Sequence, residues 1–300
     1  MSSDVELARR IALGCFGLEP RIEPISRLNN LVFRLRYPHG AMILKMARGQ
    51  DASALRKELA IVDLLGRHGL PAPAVEFADP DGAQLGRPFV VMRSAGDRTV
   101  ADWAGDPGEE GRALFGAMGN VLARVHGIGF RESGEIRAEG IIRLDAAAAR
   151  GEADRAADWA ADRGHLGHDE AERFRALATP DLEGPALCHR DFHGVQCVVD
   201  RGRIAAVVDW ESAWACNPTV DLAIAHAYLD FYCAPPLIEA FFSGYGSARP
   251  LPDRYDRDNL PIRMAHALGM MRVWYDQGLE PNLRRTIELF RTYSRAIDGA

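Results

Sequence analysis

The sequence predicts an α+β protein with a small N-terminal part built on an antiparallel sheet and a larger, mostly helical C-terminal part. Two observations predict this class. Before residue 93, β-compatible segments alternate with turn residues, and one main helical pattern lies among them. After residue 97, apolar residues recur mainly at helical spacing. The chain of 300 residues is long enough for two parts that each have a core.

The chain begins with a predicted short amphipathic helix over residues 1–17, since this segment lacks the long apolar core of a signal peptide. An antiparallel hairpin is predicted next. Residues 31–36 and 41–46 are rich in β-compatible side chains, and residues 38–40 between them are Pro-His-Gly, a turn sequence.

The main helix of the N-terminal part is predicted over residues 51–68, and Gly69 follows it as a stop signal. Its apolar positions recur at steps of three and four: Leu55, Leu59, Val62 and Leu65. A further strand is predicted over residues 89–92. We therefore expect an N-terminal lobe of residues 1–93, a C-terminal lobe of residues 94–300, and a cleft between them.

The C-terminal part is predicted to be helical apart from one short hairpin. Residues 195–199 and 204–208 are apolar and flank the turn Asp200-Arg201-Gly202, which is typical of paired strands. The predicted helices cover residues 109–126, 145–161, 169–178, 220–231 and 262–276.

Composition excludes several classes of function. The net charge of −6 argues against a general nucleic-acid or acidic-membrane binder. No apolar run approaches the roughly 20 residues that span a bilayer. Five widely spaced cysteines without a CxxC pair are typical of free thiols in a reducing compartment, so we expect a cytoplasmic protein with no membrane or nucleic-acid partner.

The segment with the clearest chemistry is Cys-His-Arg-Asp-Phe-His-Gly-Val-Gln at residues 188–196, followed by Val-Val-Asp-Trp-Glu at residues 207–211. Phosphoryl transfer requires a carboxylate to accept the proton of the attacking hydroxyl and metal ions to neutralise phosphate charge. Asp191 supplies a loop carboxylate. Gln196 and Asp209 supply oxygen ligands of the kind that Mg²⁺ prefers, and the hairpin can bring them together.

These segments resemble the catalytic and metal-binding motifs of the aminoglycoside phosphotransferase and choline kinase family, which shares the protein-kinase-like two-lobe fold. The order of the HRD motif, the DWE motif and the segment Asn-Pro-Thr-Val-Asp at residues 217–221 carries the resemblance, and Leu-Ala-Arg-Val-His at residues 122–126 resembles the family's central helix. It implies an enzyme that moves the γ-phosphoryl group of ATP or GTP to a hydroxyl group of a small molecule, with Mg²⁺ as cofactor. An antibiotic-resistance or metabolite kinase would fit.

The resemblance also implies roles for individual residues. Asp191 would be the catalytic base, and Asp209 and Gln196 would hold Mg²⁺. Lys45 would contact the α- and β-phosphates, and Glu58 would hold Lys45 by an ion pair.

Further nucleotide contacts are implied at two places. Asn29 and Asn30 lie where the phosphate-covering loop belongs, and backbone groups of Met92, Arg93 and Ser94 would face the base. Outside the nucleotide site, His193 is expected to make a structural hydrogen bond in the catalytic loop. Asp221 is expected to cap a helix or brace a loop.

Two departures from the family pattern keep a second reading open. Gln196 stands where the family has Asn, and the phosphate-covering segment, residues 26–30, contains no glycine. A degenerate, pseudokinase-like nucleotide-binding protein without transfer activity is therefore the alternative.

A minor alternative is a zinc-dependent hydrolase. On an extended segment, alternation would place His189, Asp191 and His193 on one face, where they could bind zinc. This reading leaves Lys45 and Glu58 without a role.

The acceptor site is expected from the helices after Asp221. Acidic and aromatic residues in that region would suit a cationic or sugar-like acceptor. The candidates are Asp230, Tyr232, Trp274, Tyr275 and Asp276.

Overall fold

The structure is a computed structural model that describes residues 2–26, 30–143, 145–178, 180–253 and 255–298. In chain order its helices and strands are α1 Ser2–Phe16, β1 Arg21–Ser26, β2 Asn30–Tyr37, β3 Gly40–Ala47, α2 Ser53–Arg67, β4 Val75–Asp79, β5 Phe89–Arg93, β6 Arg98–Thr99, α3 Glu109–Val125, β7 Gly134–Arg137, β8 Gly140–Arg143, α4 Ala146–Asp162, α5 His168–Ala176, β9 Ala186–Cys188, β10 Cys197–Asp200, β11 Arg203–Val207, β12 Trp214–Cys216, α6 Pro218–Tyr232, α7 Pro235–Ala248, α8 Tyr255–Asp276 and α9 Glu280–Asp298. The α+β class predicted from the sequence is confirmed.

The chain forms two compact units. The first comprises Met1–Thr99, Arg137–Gly140 and Val195–Glu211, and the second comprises Val100–Ile136, Ile141–Gly194 and Ser212–Ala300. The division into a nucleotide-binding lobe that ends at residue 93 and an acceptor-binding lobe after it stays a prediction.

The first unit is built on a five-stranded antiparallel sheet in the order β1-β2-β3-β5-β4. The predicted hairpin is confirmed as β2 and β3, which pair from Asn30↔Ala47 to Tyr37↔Gly40. Helix α1 contributes Ala8, Ile11 and Ala12 to an apolar cluster with inward-facing residues of β2, β3 and β5. Burial of these alternate strand positions orients the opposite side chains of β3 away from that cluster.

The predicted second hairpin is also confirmed, as β10 and β11. Cys197 pairs with Val207, and Arg201 and Gly202 make the turn with φ angles of 48° and 72°. Strand β10 also pairs with β6, so the hairpin and β6 form a three-stranded sheet of the first unit.

The second unit is mostly helical, and glycine allows α3 and α7 to approach closely. A Cβ atom on Gly119 would stand 1.9 Å from the carbonyl oxygen of Phe241, and one on Gly244 would stand 1.9 Å from that of Gly116. Any larger residue would push the two helices apart. Helices α4, α5, α8 and α9 share a separate apolar core that includes Phe174, Phe290 and Tyr293, each nearly inaccessible to solvent.

The predicted helices of this unit are present, with shifted ends. Helix α8 starts earlier than expected, at Tyr255, and runs through Pro261. The sequence interpretation omitted α7 and α9. It also omitted the short strands of the sheet β8-β7-β12-β9, which lack enough residues to show alternation.

The composition gave expectations about the cysteines and about membrane-spanning helices. All five cysteines are free thiols, and Cys188, Cys197 and Cys216 are buried. None of the helices in the described ranges combines the length and hydropathy required to cross a bilayer.

Candidate active site

Lys45 is the sixth of the eight residues of β3, the central strand of the five-stranded sheet. It pairs with Val32 of β2 on one side and with Val90 of β5 on the other. Its residue is 5% exposed to solvent. An ammonium group buried to this extent needs carboxylate partners to remain charged.

Three carboxylates surround the Lys45 ammonium group. Its Nζ lies 2.8 Å from Glu58 Oε2, 2.8 Å from Asp209 Oδ1 and 3.6 Å from Glu211 Oε2. Burial lowers the pKa of Lys45, but the charges of Glu58 and Asp209 outweigh burial and hold this pKa above its ordinary value. Lys45 is therefore favoured in its charged form at neutral pH. The ion pair predicted between Lys45 and Glu58 is present.

Asp209 lies two residues after the end of β11 and has an unusual backbone conformation. Its φ angle is 68°, in the left-handed region that non-glycine residues rarely occupy. Its side chain is 41% exposed, whereas that of Lys45 is 6% exposed. One Asp209 oxygen holds Lys45, and the exposed part of the carboxylate can meet a ligand.

Gln196 precedes β10 on the same hairpin. The backbone carbonyl oxygen of Gln196 accepts a hydrogen bond of 3.0 Å from the N–H of Val208, the residue before Asp209. The hairpin thus brings the backbones of the two predicted metal ligands together, as the sequence interpretation expected. Oxygen atoms of an amide and a carboxylate are donors that suit Mg²⁺.

Glu211 and Lys57 are two members of this cluster that the sequence interpretation missed. Glu211 Oε2 accepts a hydrogen bond of 2.8 Å from Asn30 Nδ2, and the Glu211 carbonyl oxygen accepts one of 2.8 Å from Lys57 Nζ. A signal was available in the composition. Lys45 and Lys57 are the two lysines of the chain, and its other basic residues are arginines and histidines. Both are 5% exposed, so lysine occurs where a compact buried ammonium group is needed.

The other predicted nucleotide-binding residues lie at two places. Asn30 is the first residue of β2, and Asn29 lies outside the described residues. Met92 and Arg93 end β5, and Ser94 follows. The N–H groups of Arg93 and Ser94 already donate to the carbonyl oxygens of Ala74 and Ala41. Those two N–H groups are therefore occupied. Contact between a nucleotide base and the remaining backbone groups of Met92, Arg93 and Ser94 stays a prediction.

In the second unit, Asp221 braces the segment that carries Asp191. Its two carboxylate oxygens accept hydrogen bonds of 2.6 Å each from the N–H groups of His189 and Arg190. His126 Nε2 lies 3.2 Å from Asp221 Oδ2, and Arg190 has a left-handed φ of 64°. Burial raises the pKa of the Asp221 carboxyl, but the hydrogen bond and charge of His126, with His189, hold this pKa below its ordinary value. The expected loop-bracing role of Asp221 is confirmed.

Asp191 follows this braced segment and accepts a hydrogen bond of 2.7 Å at Oδ1 from the hydroxyl of Tyr228 on α6. Its Oδ2 lies 3.9 Å from His193 Nε2. The Asp191 side chain is 32% exposed, so it is accessible to a ligand. Tyr228 is a residue that the sequence interpretation missed, because an aromatic residue in a helix is usually read as core.

A family model and the solved structures of other proteins can be compared with this chain. The model, described as the phosphotransferase enzyme family, matches residues 21–257.

The chain belongs to the phosphotransferase enzyme family.

Solved structures show that the fold is the protein-kinase-like fold of this family. A thermostable mutant of aminoglycoside phosphotransferase APH(4)-Ia, in a ternary complex with ADP and hygromycin B, is 15% identical, with 96% of this chain and 97% of that chain covered and a TM-score of 0.66. Macrolide 2'-phosphotransferase MphH from Brachybacterium faecium is 19% identical over 96% of this chain and 97% of that chain, with a TM-score of 0.61. A microcompartment-associated aminopropanol kinase is 15% identical over 99% and 98%, with a TM-score of 0.64. None of the curated proteins compared with this chain matches it significantly in sequence.

The zinc-hydrolase alternative does not fit this phosphotransferase. Its premise was an extended segment, but the left-handed backbone of Arg190 breaks the alternation that would place His189, Asp191 and His193 on one face. Among the described residues, the cluster that could gather around a metal ion is His126, Cys188 and Asp221, which is buried and excludes Asp191.

The predicted acceptor residues of this phosphotransferase fall into two groups. Tyr232 and Trp274 line a cavity of the second unit, together with Tyr228. Asp230, Tyr275 and Asp276 are not among its lining residues. Asp230 is instead held by the guanidinium of Arg263 and by the hydroxyl of Tyr293, at 2.8 Å. Its charge is therefore already neutralised inside the protein.

His266, on the wall of the same cavity, gives the phosphotransferase a testable pH dependence. Burial lowers the pKa of His266 from 6.5 to about 4, with Asp191 opposing the shift and His193 and Arg190 adding to it. Between these two pKa values the unfolded chain binds more protons than the folded one, so the free energy of unfolding falls as the pH drops.

We expect the pH dependence of unfolding to weaken in the variant His266→Gln. Between pH 7 and pH 5, urea unfolding should reveal that the wild type loses up to about 2 kcal/mol more than the variant. Equal losses in the two proteins would mean that His266 titrates normally in the folded state.

Proposed function

We propose that this phosphotransferase moves the γ-phosphoryl group of ATP or GTP to a hydroxyl group of a small molecule, in the cytoplasm and with Mg²⁺. The observation that carries the proposal is the buried Lys45 ammonium group held between Glu58 and Asp209 at 2.8 Å from each. A buried, charged lysine whose partner carboxylate is 41% exposed is an arrangement suited to a polyphosphate and its metal ion.

The residues of the first unit would serve the nucleotide. Lys45 would contact the phosphates, Glu58 would keep the ammonium group in position, and Asp209 and Gln196 would hold Mg²⁺. The metal ion neutralises negative charge on the phosphate oxygens when it is bound. The left-handed backbone at Asp209 costs about 1–3 kcal/mol, a strain that is common at functional sites.

Asp191 of the second unit would serve the acceptor. The acceptor oxygen forms a bond to the γ-phosphorus, the bond from that phosphorus to the bridging oxygen breaks, and the nucleoside diphosphate leaves. The hydroxyl proton passes to Asp191. The hydrogen bond from Tyr228 occupies Oδ1 and orients the carboxylate, which supports Oδ2 as the atom that takes the proton.

Two lysines in the whole chain make the nucleotide site easy to test. An acyl phosphate of ADP transfers its acyl group to a lysine amine beside bound phosphates, and mass spectrometry then identifies the lysine. We expect labelling of Lys45, suppression by excess ATP or GTP, and a nucleotide-dependent rise in melting temperature that requires Mg²⁺.

The variant Asp209→Asn should lose the Mg²⁺-dependent part of that rise. Asp200→Asn is the matched control, because Asp200 is an exposed aspartate at the turn end of the same hairpin. No labelling of Lys45, or an unchanged response in Asp209→Asn, would overturn the proposed nucleotide site. Binding of nucleotide without turnover for any acceptor would instead favour the pseudokinase-like alternative.

A further inference from the structure

The second unit contains a cavity of about 770 Å³ beside the candidate base. Helices α4, α6 and α8 and the segment around Arg190 line it. Tyr228 and His193 belong to its wall, and the Tyr228 hydroxyl donates to Asp191. A cavity of this size is large enough for a drug-sized ligand. A hydroxyl group bound at its Tyr228 end would lie near Asp191.

Most of the cavity wall is apolar. Side chains of α6 and α8 supply aliphatic surface, and two tryptophans, Trp214 and Trp274, supply aromatic surface. Surface of this kind stabilises a ligand mainly by burying hydrocarbon or rings. A ligand made only of hydroxyl and ammonium groups would lose its hydration there without replacement.

The charged residues on the wall are mainly arginines. Arg150, Arg155, Arg190 and Arg272 line the cavity, against one carboxylate, Glu152. Arg150 is already used, since it pairs with Asp154 and donates to three carbonyl oxygens.

The other three arginines are available. Arg155, Arg190 and Arg272 make no ion pair with any residue that the structure describes, and the Arg190 guanidinium lies 4.2 Å from the ring centre of Trp214. The cavity wall therefore carries a net positive charge beside apolar surface.

We propose that the phosphoryl acceptor is an anionic alcohol with a large apolar or aromatic body, its hydroxyl directed to Asp191 and its carboxylate held by the arginines. This inference rests on the proposed function and names the acceptor class. It departs from the cationic or sugar-like acceptor expected from the sequence, because the acidic candidates Asp230 and Asp276 do not line the cavity. A polycation would meet the net positive charge of the cavity wall.

Matched probes test the charge preference directly. Hydroxymethyl-biphenyl carboxylate, the corresponding carboxamide and the corresponding aminomethyl compound share one body and one hydroxyl group. Calorimetry without nucleotide should give about tenfold tighter binding of the carboxylate than of the carboxamide, and the weakest binding for the amine. Equal affinities, or preference for the amine, would overturn the proposal.

Two variants locate the charge effect. The double variant Arg155→Gln/Arg272→Gln changes exposed cavity arginines that lie outside the catalytic segment, and it should reduce the preference for the carboxylate to about threefold or less. Arg112→Gln is the matched control, because Arg112 is an exposed arginine of α3 that does not line the cavity. A preference that survives in the double variant would place the anion site elsewhere.

The two proposals can fail separately. With ATP and Mg²⁺ present, release of ADP should follow the same order of preference as binding. Selective binding of the carboxylate without any phosphorylated product would overturn the proposed function. The proposal that the cavity binds an anionic alcohol would still hold. Phosphorylation of the amine or of an aminoglycoside, with none of the carboxylate, would do the reverse.

Discussion

The variant Asp191→Asn is expected to lower kcat for phosphoryl transfer by about 10²–10⁴-fold, the range that general base catalysis contributes. An amide cannot accept the hydroxyl proton, yet it keeps the shape of the side chain and can still accept the hydrogen bond from Tyr228. Nucleotide affinity should stay within about twofold, because Lys45, Glu58 and Asp209 carry the proposed nucleotide contacts. Steady-state kinetics with calorimetric nucleotide binding would check both expectations.

Two further variants make this result specific. Asp169→Asn makes the same change at a side chain that is 79% exposed, and it should leave kcat unchanged. Tyr228→Phe removes the donor to Asp191 Oδ1 and should produce a smaller loss of kcat. An Asp191→Asn enzyme with more than about a tenth of wild-type kcat would exclude Asp191 as the base.

The second large effect is expected on stability. Asp221→Ala should lower the free energy of unfolding by about 3–5 kcal/mol, because it removes a buried charge that three donors share. The N–H groups of His189 and Arg190 would lose 2.6 Å hydrogen bonds, and the His126 ring would lose a neighbour at 3.2 Å. Urea unfolding at neutral pH measures the loss.

Asp221→Asn keeps the size of the side chain and one carbonyl acceptor, so its loss should be smaller and the variant should still fold. Its kcat should nevertheless fall, because the left-handed backbone of Arg190, with φ of 64°, is then held by fewer bonds directly before Asp191. Asp169→Ala is the control for an exposed aspartate. A loss below about 1 kcal/mol in Asp221→Ala would mean that water replaces the carboxylate.

Much of the fold could be predicted from periodicity and turn chemistry. The Pro-His-Gly turn and the alternation around it predicted the β2–β3 hairpin, and the apolar positions from Leu55 to Leu65 predicted α2. Helix α9 was missed although Leu283, Phe290 and Tyr293 are buried at helical spacing on it. The short strands β7, β8, β9 and β12 could not be predicted, because three or four residues are too few to show a period.

The candidate site divides in the same way. Lys45, Glu58, Asp191 and Asp209 could be chosen because the family resemblance names them. Glu211, Lys57 and Tyr228 were missed, although Glu211 stands in the DWE motif and Lys57 is one of two lysines, because each acts through a partner distant in the sequence. Glu211 lies 181 residues from Asn30, and Tyr228 lies 37 residues from Asp191. Contacts across such separations depend on strand pairing and helix packing, which no local pattern encodes.

The sequence by itself determined the family of this protein, its main helices and hairpins, and the candidate carboxylates and lysine of its proposed site. Those properties follow from local residue order, since periodicity, turn chemistry and motif spacing are all short-range. Only the tertiary structure decided that Lys45 is buried among three carboxylates, and that the cavity beside Asp191 is mostly apolar with four arginines and one carboxylate on its wall. Burial and charge compensation are collective properties, because they depend on which distant segments exclude water from the same group.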